Sequence, residues 1–477
     1  MIAIRIISII ILGILSGDCP EGYQEYLAID NNECFNNSNN NCYFISDLNV
    51  LNDLLDNNCL DFDQNGIYNT IECEVDRDCN EDGFIWPIEI CSQVWQDGRL
   101  LELDCSESEL IGDIPYSIGN LDQLMALNMN SNYIEGAIPS SIGNLNQLRW
   151  LDLGNNMLSS QIPFQITNLI NLEHLHLRNN NLSGSIPLEI DNLENLRYLN
   201  LMYNNITGEI PANISNIEYL YYLLLGSNQL SGSIPNQITN LFFLKELGLW
   251  GNNLTGEIPS DISNLINLEY LYLGDNELTG TVPEEITNLY SLKVLGLENN
   301  NIEGNIPINI GDMTTLEIIW LYGNLLTGEI PSSIGNLNNL IELNLYENQL
   351  AGWIPLSIES LSNLELLWVG RNLLSGIVPQ YISYLSSYSV YDNYFCPPYP
   401  SSTVIGYQDT SNCIEYVQGN VNNDSVLDIF DIIMGVGLIL SEANLTNYQS
   451  WSLDLDGDGG HDISDILYLV QLIMYYQ

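Results

Sequence analysis

Residues 244–267 read LKELGLWGNNLTGEIPSDISNLIN, and this 24-residue pattern decides the fold. It recurs twelve times without a gap over residues 100–387. Apolar residues at positions 1, 4 and 6 (Leu244, Leu247 and Leu249) alternate with free positions, which predicts a strand with one buried face. A fixed period of this length predicts a solenoid, because no single coil can bury its core alone and each needs stacked neighbours.

Three constant residues of the repeat predict how each coil turns. An Asn at position 9 has a short amide that satisfies backbone groups where the chain leaves the strand, so we expect a ladder of hydrogen bonds from coil to coil. A Gly four residues later provides freedom in φ, and an Ile-Pro pair keeps the return segment extended and out of a long helix. The Asn recurs at Asn132, Asn156, Asn180, Asn204, Asn228, Asn252, Asn276, Asn300, Asn324, Asn348 and Asn372.

This phrase strongly resembles the plant-type subfamily of leucine-rich repeats, most clearly in residues 180–187 and 252–259. The resemblance implies an α/β fold class, in which a right-handed, horseshoe-shaped solenoid carries a parallel β-sheet on its concave face. A truncated thirteenth strand follows the twelve complete repeats and extends the array to residue 395.

The two ends of the chain differ from the array in composition. Residues 1–17 combine Arg5 with an apolar run and small residues, which predicts a cleaved signal peptide and export. Eight of the ten cysteines precede Ser106 and two follow the array, which favours disulfides that seal the exposed ends of the solenoid. We expect Cys396 to pair with Cys413, and sequence leaves the N-terminal connectivity open. The predicted domains are a signal peptide (1–17), a cysteine-rich N-terminal cap region (18–99), the repeats (100–395), a disulfide cap and linker (396–416) and a C-terminal domain (417–477).

Charge excludes some partners and points to one face. Nine Lys and Arg against 61 Asp and Glu give a formal net charge of −52, which excludes a general role in binding nucleic acid or anionic membranes. Most of the few cations nevertheless fall on strand positions predicted to face the concavity, which indicates a recognition surface. They are Arg149, Arg178, Arg197, Lys245, Lys293 and Arg371.

Aromatic side chains also occupy the free strand positions. Exposed Trp, Tyr and Arg are the residue types that anchor interfaces, although strands favour aromatic residues in any case. We interpret this face as a binding surface for an extracellular protein, peptide or glycan. The residues assigned to it are Trp150, His174, His176, Tyr198, Tyr222, Trp250, Tyr270, Tyr272, Trp320, Tyr322, Tyr346 and Trp368.

His174 and His176 raise a sharper alternative on the same face. An HxH pair on a strand directs both imidazoles to one side, and Asp152 is expected beside His176 on the preceding strand. This arrangement resembles part of a zinc site, but it lacks a clear further ligand. Recognition through the surface is therefore the preferred interpretation.

Two Asp- and Asn-rich loops near the C-terminus have the spacing of calcium ligands, with one oxygen at every second position. The first loop offers Asn420, Asn422, Asp424, Val426 (through its carbonyl), Asp428 and Asp431. The second offers Asp454, Asp456, Asp458, Gly460 (through its carbonyl), Asp462 and Asp465. Each loop runs into an apolar, helix-like segment. Paired loops of this kind resemble a dockerin module, which implies a small all-α, EF-hand-like domain, a calcium cofactor and a cohesin-like partner.

The chain departs from the dockerin pattern at the recognition positions, and it has a further candidate calcium loop near its N-terminus. Dockerins usually carry small hydroxylated pairs at their recognition positions, whereas this chain has Ile429-Phe430 and Ile463-Ser464. Calcium binding is therefore better supported than cohesin binding. A further candidate calcium loop lies in the cap region at Asp61, Asp63, Asn65 and Glu72.

The sequence predicts a secreted or cell-surface, non-catalytic recognition or adhesion scaffold with a calcium-dependent C-terminal docking module. No nucleophile, base and orienting group recur at spacings that would assemble an active site. Two alternatives stay open at this point: an accessory, dockerin-bearing component of extracellular polysaccharide degradation, and a structural surface adhesin. The short apolar runs predict no stable membrane span.

Overall fold

The computed structural model describes residues 23–25, 42–58, 91–397, 399–400, 405–410, 429–441, 465–467 and 469–470. The chain divides into two compact units, Met1–Leu254 (unit 1) and Thr255–Gln477 (unit 2). Both units are built from the same 24-residue coil, so the physical account of one coil applies to each.

The strands are short, and each complete coil contributes two of them. Those of unit 1 are β1 (Tyr23–Glu25), β2 (Cys42–Phe44), β3 (Ser92–Gln96), β4 (Arg99–Asp104), β5 (Ile111–Asp113), β6 (Ala126–Asn128), β7 (Tyr133–Glu135), β8 (Trp150–Asp152), β9 (Ser159–Gln161), β10 (His174–His176), β11 (Asn181–Gly184), β12 (Tyr198–Asn200), β13 (Asn205–Gly208), β14 (Tyr222–Leu224), β15 (Gln229–Ser233) and β16 (Glu246–Gly248). At the boundary lies β17 (Asn253–Glu257). Those of unit 2 are β18 (Tyr270–Tyr272), β19 (Glu277–Thr279), β20 (Val294–Gly296), β21 (Glu303–Asn305), β22 (Ile318–Trp320), β23 (Leu325–Thr327), β24 (Glu342–Asn344), β25 (Ala351–Gly352), β26 (Leu366–Trp368), β27 (Leu373–Gly376), β28 (Ser387–Ser389) and β29 (Tyr394–Phe395).

In the described residues, helical structure comprises short segments within the coils, two α-helices outside them and the short stretches 465–467 and 469–470. The α-helices are α1 (Ile45–Asn58) and α2 (Ile429–Ser441). The 3-10 helices are Tyr116–Asn120, Ser140–Asn144, Phe164–Asn168, Ile190–Asn192, Ala212–Asn216 and Asn236–Asn240 in unit 1, and Ser260–Asn264, Glu284–Asn288, Ile310–Asp312, Ser332–Asn336, Leu356–Ser360 and Gln380–Tyr384 in unit 2. Pro139, with φ −68° and ψ 139°, is extended and precedes one of them directly. The return segments are therefore short, as the Ile-Pro pair predicts.

The first strand of every complete coil joins a parallel sheet whose inner face is the core. In unit 1, β10 pairs in parallel with β8 and β12, and Leu175 lies beside Leu151 and Leu199. All three leucines are fully or almost fully buried. Burial of each leucine side chain contributes about 1.5–3 kcal/mol. The same pairing recurs in unit 2, for example between β22 and β24. The predicted leucine-rich-repeat solenoid is confirmed in each unit.

The buried Asn ladder is present as predicted. In one coil, the amide nitrogen of Asn156 donates to the carbonyl of Met129 in the preceding coil at 2.8 Å and to that of Leu153 in its own coil at 3.1 Å. Its amide oxygen accepts the backbone N–H of Ile134 at 3.0 Å. Because these backbone groups are buried, the amide replaces the water that they would otherwise need.

A second series of strands, which the sequence did not predict, follows the Asn in each coil. In unit 1, β11 pairs in parallel with β9 and β13. In unit 2, β27 pairs with β25 and β29. The constant Gly lies in this series and has positive φ, for example +73° at Gly184. Ser160 occupies the equivalent position with φ 69°, a conformation that costs a non-Gly residue energy.

The N-terminal end of the array is closed by an antiparallel hairpin and a helix. Strand β3 pairs with β4, and a disulfide joins Cys91 to Cys105 next to this pair. Asp47 of α1 accepts a hydrogen bond from the backbone N–H of Leu100 at 2.9 Å and forms an ion pair with Arg99 at 3.1 Å. Burial raises the pKa of Asp47, although the hydrogen bonds and the charge of Arg99 oppose this rise.

The predicted truncated coil closes the described array at its other end. Asn393 continues the ladder, because its amide oxygen accepts the N–H of Leu374 at 2.9 Å and its nitrogen donates to the carbonyl of Val369 at 3.0 Å. Cys396 is disulfide-bonded. Its predicted partner, Cys413, lies outside the described residues, so the pairing stays a prediction.

The described part of the C-terminal region is helical. It comprises α2 and the helical residues 465–467 and 469–470. The complete all-α domain stays a prediction, because most of residues 411–477 lie outside the described residues. Among the helices that the structure describes, none combines the length and apolar character needed to cross a bilayer.

Candidate functional site

The candidate site is the solvent-facing side of the parallel sheet, which we call the exposed sheet face. It consists of the side chains that flank the buried central residue of each first strand, such as His174 and His176 around Leu175, together with side chains up to two residues beyond the strand. All twelve residues assigned to the ligand-binding face from the sequence lie here, and none of them is buried. Six belong to unit 1 and six to unit 2.

In unit 1 the exposed sheet face carries a continuous stack of five rings. The His176 ring lies between Trp150 and Tyr198, with centroid distances of 5.1 and 4.5 Å. Trp150 also lies 4.5 Å from His174, and Tyr198 lies 4.8 Å from Tyr222. These rings come from the adjacent strands β8, β10, β12 and β14, because equivalent positions of neighbouring coils are in register.

The histidines of this stack behave as neutral aromatic rings. Burial lowers the pKa of His176 to about 4, although the nearby Asp152 opposes the shift. Burial also lowers the pKa of His174. Nδ1 of His174 and Nε2 of His176 are buried and have no hydrogen-bond partner. In the described residues, no cluster of three or more His, Cys, Asp or Glu side chains is placed to hold a metal. The zinc alternative stays untested.

A second aromatic feature of unit 1 depends on a glycine. Trp250 lies over Gly226, where an added Cβ would be only 2.6 Å from Nε1 of the indole. The edge of the same indole contacts Tyr203, at a centroid distance of 5.3 Å and an interplanar angle of 73°. The free position of one coil therefore decides where the large side chain of the next coil can lie.

The cations predicted to mark this face are largely paired with carboxylates of neighbouring coils. Glu173 lies 3.7 Å from Arg149 and 3.5 Å from Arg197, one coil away on either side. In unit 2, Lys293 lies 2.7 Å from Glu269. These cations therefore form ion pairs between adjacent coils as well as contributing to the surface, and their pairing was not predicted from the sequence.

In unit 2 the rings of the exposed sheet face surround a hollow of about 550 Å³ instead of forming one stack. Two hydrogen bonds join four of its side chains: Nε1 of Trp320 donates to Glu342 at 2.8 Å, and the hydroxyl of Tyr391 donates to that of Tyr346 at 2.9 Å. The lining residues are Glu298, Trp320, Tyr322, Glu342, Asn344, Tyr346, Trp368, Ser389 and Tyr391.

Glu298 is the unusual residue of this hollow. It is 8% exposed, and its Oε2 has no hydrogen-bond partner. Its carboxyl lies on two glycines: an added Cβ would be 2.3 Å from the carboxyl carbon at Gly274 and 3.1 Å from Oε2 at Gly296. Burial raises the pKa of Glu298 to about 7. Glu298 was not among the residues predicted from the sequence, although Gly274, at the equivalent position of the preceding coil, was a usable signal.

A second unpartnered atom lies at the opposite end of the same hollow. Oγ of Ser389 is buried and has no hydrogen-bond partner. A Cβ on Gly370 would lie 2.6 Å from this oxygen and 3.3 Å from Cδ2 of Tyr346. Burial and the hydrogen bond from Tyr391 raise the pKa of Tyr346 to about 12, so its hydroxyl is neutral at physiological pH.

The predicted calcium ligands fall almost wholly outside the described residues. Asp431 lies in α2. Asp465 opens the second helical segment and is 1% exposed. The remaining ligands of both C-terminal loops, and the candidate loop from Asp61 to Glu72, lie outside the described residues.

Family comparisons match most of the repeat array. A model of the leucine-rich repeat region matches residues 98–210 and 148–271, a leucine rich repeat model matches 242–302, and another matches 315–337 and 339–361. No curated protein matches the sequence.

Solved structures give the same assignment. A TDR receptor is 33% identical with a TM-score of 0.60, over 62% of this chain and 52% of the receptor chain. The ectodomain of the Arabidopsis receptor kinase HAESA, in complex with an IDA peptide hormone ligand, is 30% identical with a TM-score of 0.55, over 63% of this chain and 55% of that chain. A leucine-rich repeat protein of Leptospira interrogans is 30% identical with a TM-score of 0.51, over 62% of this chain and 79% of that protein.

The matched receptors are longer than the region that they share with this chain, which spans 52% and 55% of the two receptor chains. The Leptospira protein, by contrast, is covered over most of its length. Together with the family models and the coil geometry, this similarity establishes the family. The chain belongs to the leucine-rich repeat proteins, and its repeats are of the plant type.

Proposed function

We propose that this chain is an extracellular, non-catalytic recognition protein that binds a peptide on its exposed sheet face. The observation that carries the proposal is the five-ring stack of unit 1. Its rings come from four adjacent strands about 4.8 Å apart, so an extended peptide of about five residues would contact all four. The HAESA ectodomain, a structural neighbour, was solved in complex with a peptide hormone.

The physical basis of the proposal is the composition of the surface. Aromatic rings offer a large contact area and lose little conformational entropy on binding. In this stack they are held by one another before any ligand arrives, and preorganisation of this kind lowers the cost of association. His174 and His176 contribute as neutral rings, since burial lowers the pKa of both.

Selection from a random peptide library with the full chain tests this proposal. We expect selected peptides to lose at least tenfold in affinity for the double variant Trp150→Ala/Tyr198→Ala, because the stack loses its end and middle rings. Phe164→Ala/Leu188→Ala is the matched control, since these residues are 62% and 70% exposed and lie near the 3-10 helices, away from the stack. Failure to select any peptide, or equal binding by both double variants, would contradict the proposal.

A glycan is the second candidate ligand. Trp250, Trp320 and Trp368 are solvent-accessible on the exposed sheet face, and flat rings of this kind also stack on sugars. A glycan array probed with the full chain separates the candidates. Sugar binding that is lost when these three residues are changed to Ala would favour an accessory role in extracellular polysaccharide breakdown over peptide recognition.

We also propose that residues 417–477 form a calcium-ordered docking module for a cohesin-like partner. Two loops with alternating oxygen ligands support calcium binding. Helix α2 begins directly after Asp428, a predicted ligand of the first loop. The buried Asp465, a predicted ligand of the second loop, opens the second helical segment. Calorimetric titration of the full chain with calcium should show two sites, and Asp454→Ala should abolish one of them. If calorimetry detects no calcium binding to either the wild-type protein or the Asp454→Ala variant, the proposed module is contradicted.

A further inference from the structure

Unit 2 twice places one of its own cations close to both a tyrosine ring and a glutamate. Nζ of Lys293 lies 5.7 Å from the ring centre of Tyr270 and 2.7 Å from Glu269. The second case is Arg371, whose Cζ lies 5.6 Å from the ring centre of Tyr346. Its Nη1 is 3.5 Å from a carboxylate oxygen of Glu347. Both cations are within the distance at which attraction to the ring face is significant.

The hollow of unit 2 offers the same two partners to an external cation, although Arg371 already lies over Tyr346, one of its lining rings. Its lining combines the rings of two tryptophans and three tyrosines with the carboxyl groups of Glu298 and Glu342. None of the described residues that line it is Lys or Arg. The two intramolecular pairs therefore show, in the same unit, the chemistry that this lining can provide to an external cation.

Glu298 supplies an independent reason to expect a positively charged ligand. Its Oε2 is buried and unpartnered, and the residue is 8% exposed. The carboxyl lies beside Trp320 and Tyr272, because a Cβ on Gly296 would be within 3.5 Å of atoms of all three residues. An ionised carboxylate without a partner is costly at such a site. A cation bound above it compensates that charge.

We propose that the hollow of unit 2 binds an arginine or lysine side chain of a peptide partner, with Trp320 and Tyr322 against the cation and Glu298 and Glu342 as its counter-charges. This inference rests on the proposed function and adds the chemistry of the ligand, a positively charged side chain. Charge complementarity supports this occupant, since the chain carries a formal charge of −52. Arginine fits best, because its planar guanidinium stacks on rings and bonds to carboxylates in the same geometry.

Two capped pentapeptides test the site, acetyl-Gly-Gly-Arg-Gly-Gly-amide and its counterpart with citrulline, which has the same shape and no charge. In calorimetric titration of the full chain at pH 8, we expect the arginine peptide to bind at least tenfold more tightly. Glu298→Gln should reduce its affinity to that of the citrulline peptide. Glu277→Gln is the matched control, because Glu277 is an exposed glutamate of β19.

The outcomes separate this inference from the proposed function. Equal affinities for the two peptides, or tight arginine binding that survives Glu298→Gln, would overturn the cation site. Library-selected peptides that still depend on the ring stack of unit 1 would then leave the proposed function standing. An arginine preference that Glu298→Gln removes supports the site directly. Glu298→Gln keeps the shape of the side chain, and an unchanged circular dichroism spectrum will verify its fold.

Discussion

Units 1 and 2 share one frame and differ in what the frame displays. In unit 1, Trp150, His176 and Tyr198 fill the surface with ring-to-ring contacts of about 4.5 to 5 Å. In unit 2, Trp320 and Tyr346 stand around a hollow and are held by hydrogen bonds instead. The same strand spacing therefore produces a filled aromatic surface in one unit and an open hollow in the other.

The difference teaches that small residues at the free positions shape this face. Gly226 leaves room for the indole of Trp250 in unit 1, and Gly274 and Gly296 leave room for the carboxyl of Glu298 in unit 2. A Cβ at any of these glycines would come within about 3 Å of the side chain above it. A glycine thus leaves room for the larger side chain of the next coil or, at Gly296, of its own coil.

The largest expected effect tests whether the frame really is common to both units. Asn180→Ala in unit 1 and Asn324→Ala in unit 2 each leave buried backbone groups without partners, and each should cost about 3 kcal/mol. Urea denaturation measures this cost. Asn171→Ala is the control, because that amide makes one exposed hydrogen bond. A cost below 1 kcal/mol at either ladder position would break the equivalence of the units.

Glu298→Gln should stabilise the protein in alkaline but not in acidic solution. The pKa of Glu298 is raised to about 7, above the 4.5 of the unfolded chain. The folded state therefore holds the extra proton between these values, and wild-type stability falls as pH rises through this window. The variant should gain roughly 3 kcal/mol at pH 8 and nothing at pH 4, whereas Glu277→Gln should show no such difference. If Glu298→Gln changes stability equally at both pH values, the Glu298 carboxyl is not buried in its protonated form.

His176 should give unit 1 the opposite pH dependence. Its pKa is lowered to about 4 from 6.5, so the unfolded state takes up the proton first as pH falls. This residue therefore contributes roughly 3 kcal/mol of stability above pH 6.5 that is lost as pH falls to 4. Titration of the imidazole resonances by NMR should place its midpoint near 4. A midpoint near 6.5 would show that the ring is solvated and that the stack is not tightly packed.

Replacing the glycines that lie against Trp250 and Glu298 with alanine should have smaller effects, and these effects should differ between the two units. Gly226→Ala should displace Trp250 and cost about 1–3 kcal/mol, with a change in tryptophan emission. Gly274→Ala should push the Glu298 carboxyl towards solvent and return its pKa towards 4.5, which removes the alkaline loss of stability. Gly437→Ala is the control, since an added Cβ there meets nothing within 4 Å. Unchanged emission in Gly226→Ala and an unchanged pH profile in Gly274→Ala would show that these glycines do not determine where Trp250 and Glu298 lie.

The period predicted the frame because each constant residue acts within its own coil or on the next. The ladder of Asn156, the positive φ of Gly184 and the short return after Pro139 all follow from single positions of the repeat. The ring stack could also be anticipated, since Trp150, His174 and Tyr198 lie 24 residues apart and so become neighbours. The ion pairs of Glu173 with the arginines of adjacent coils have the same signal, which the interpretation by residue type alone overlooked.

The hollow could not be predicted from single positions. Its existence depends on which side chain packs against which glycine. The raised pKa of Glu298 arises from burial by residues of several coils together. The second series of strands escaped prediction because it carries few apolar residues and is defined by pairing between coils. The calcium loops stay a prediction of their oxygen spacing.

The most direct test of the account is the pH dependence of arginine-peptide binding by the full chain between pH 5.5 and 8.5. Asp275 and Tyr322 are the titratable groups that interact electrostatically with Glu298, and Glu342 lines the same hollow and acts on Tyr322. Burial raises the pKa of Glu298 to about 7, inside this pH range. Affinity should therefore rise about tenfold across pH 7 as this carboxyl ionises, and Glu298→Gln should flatten the profile. A flat profile in the wild-type protein, or an equal rise in the variant, would contradict the account.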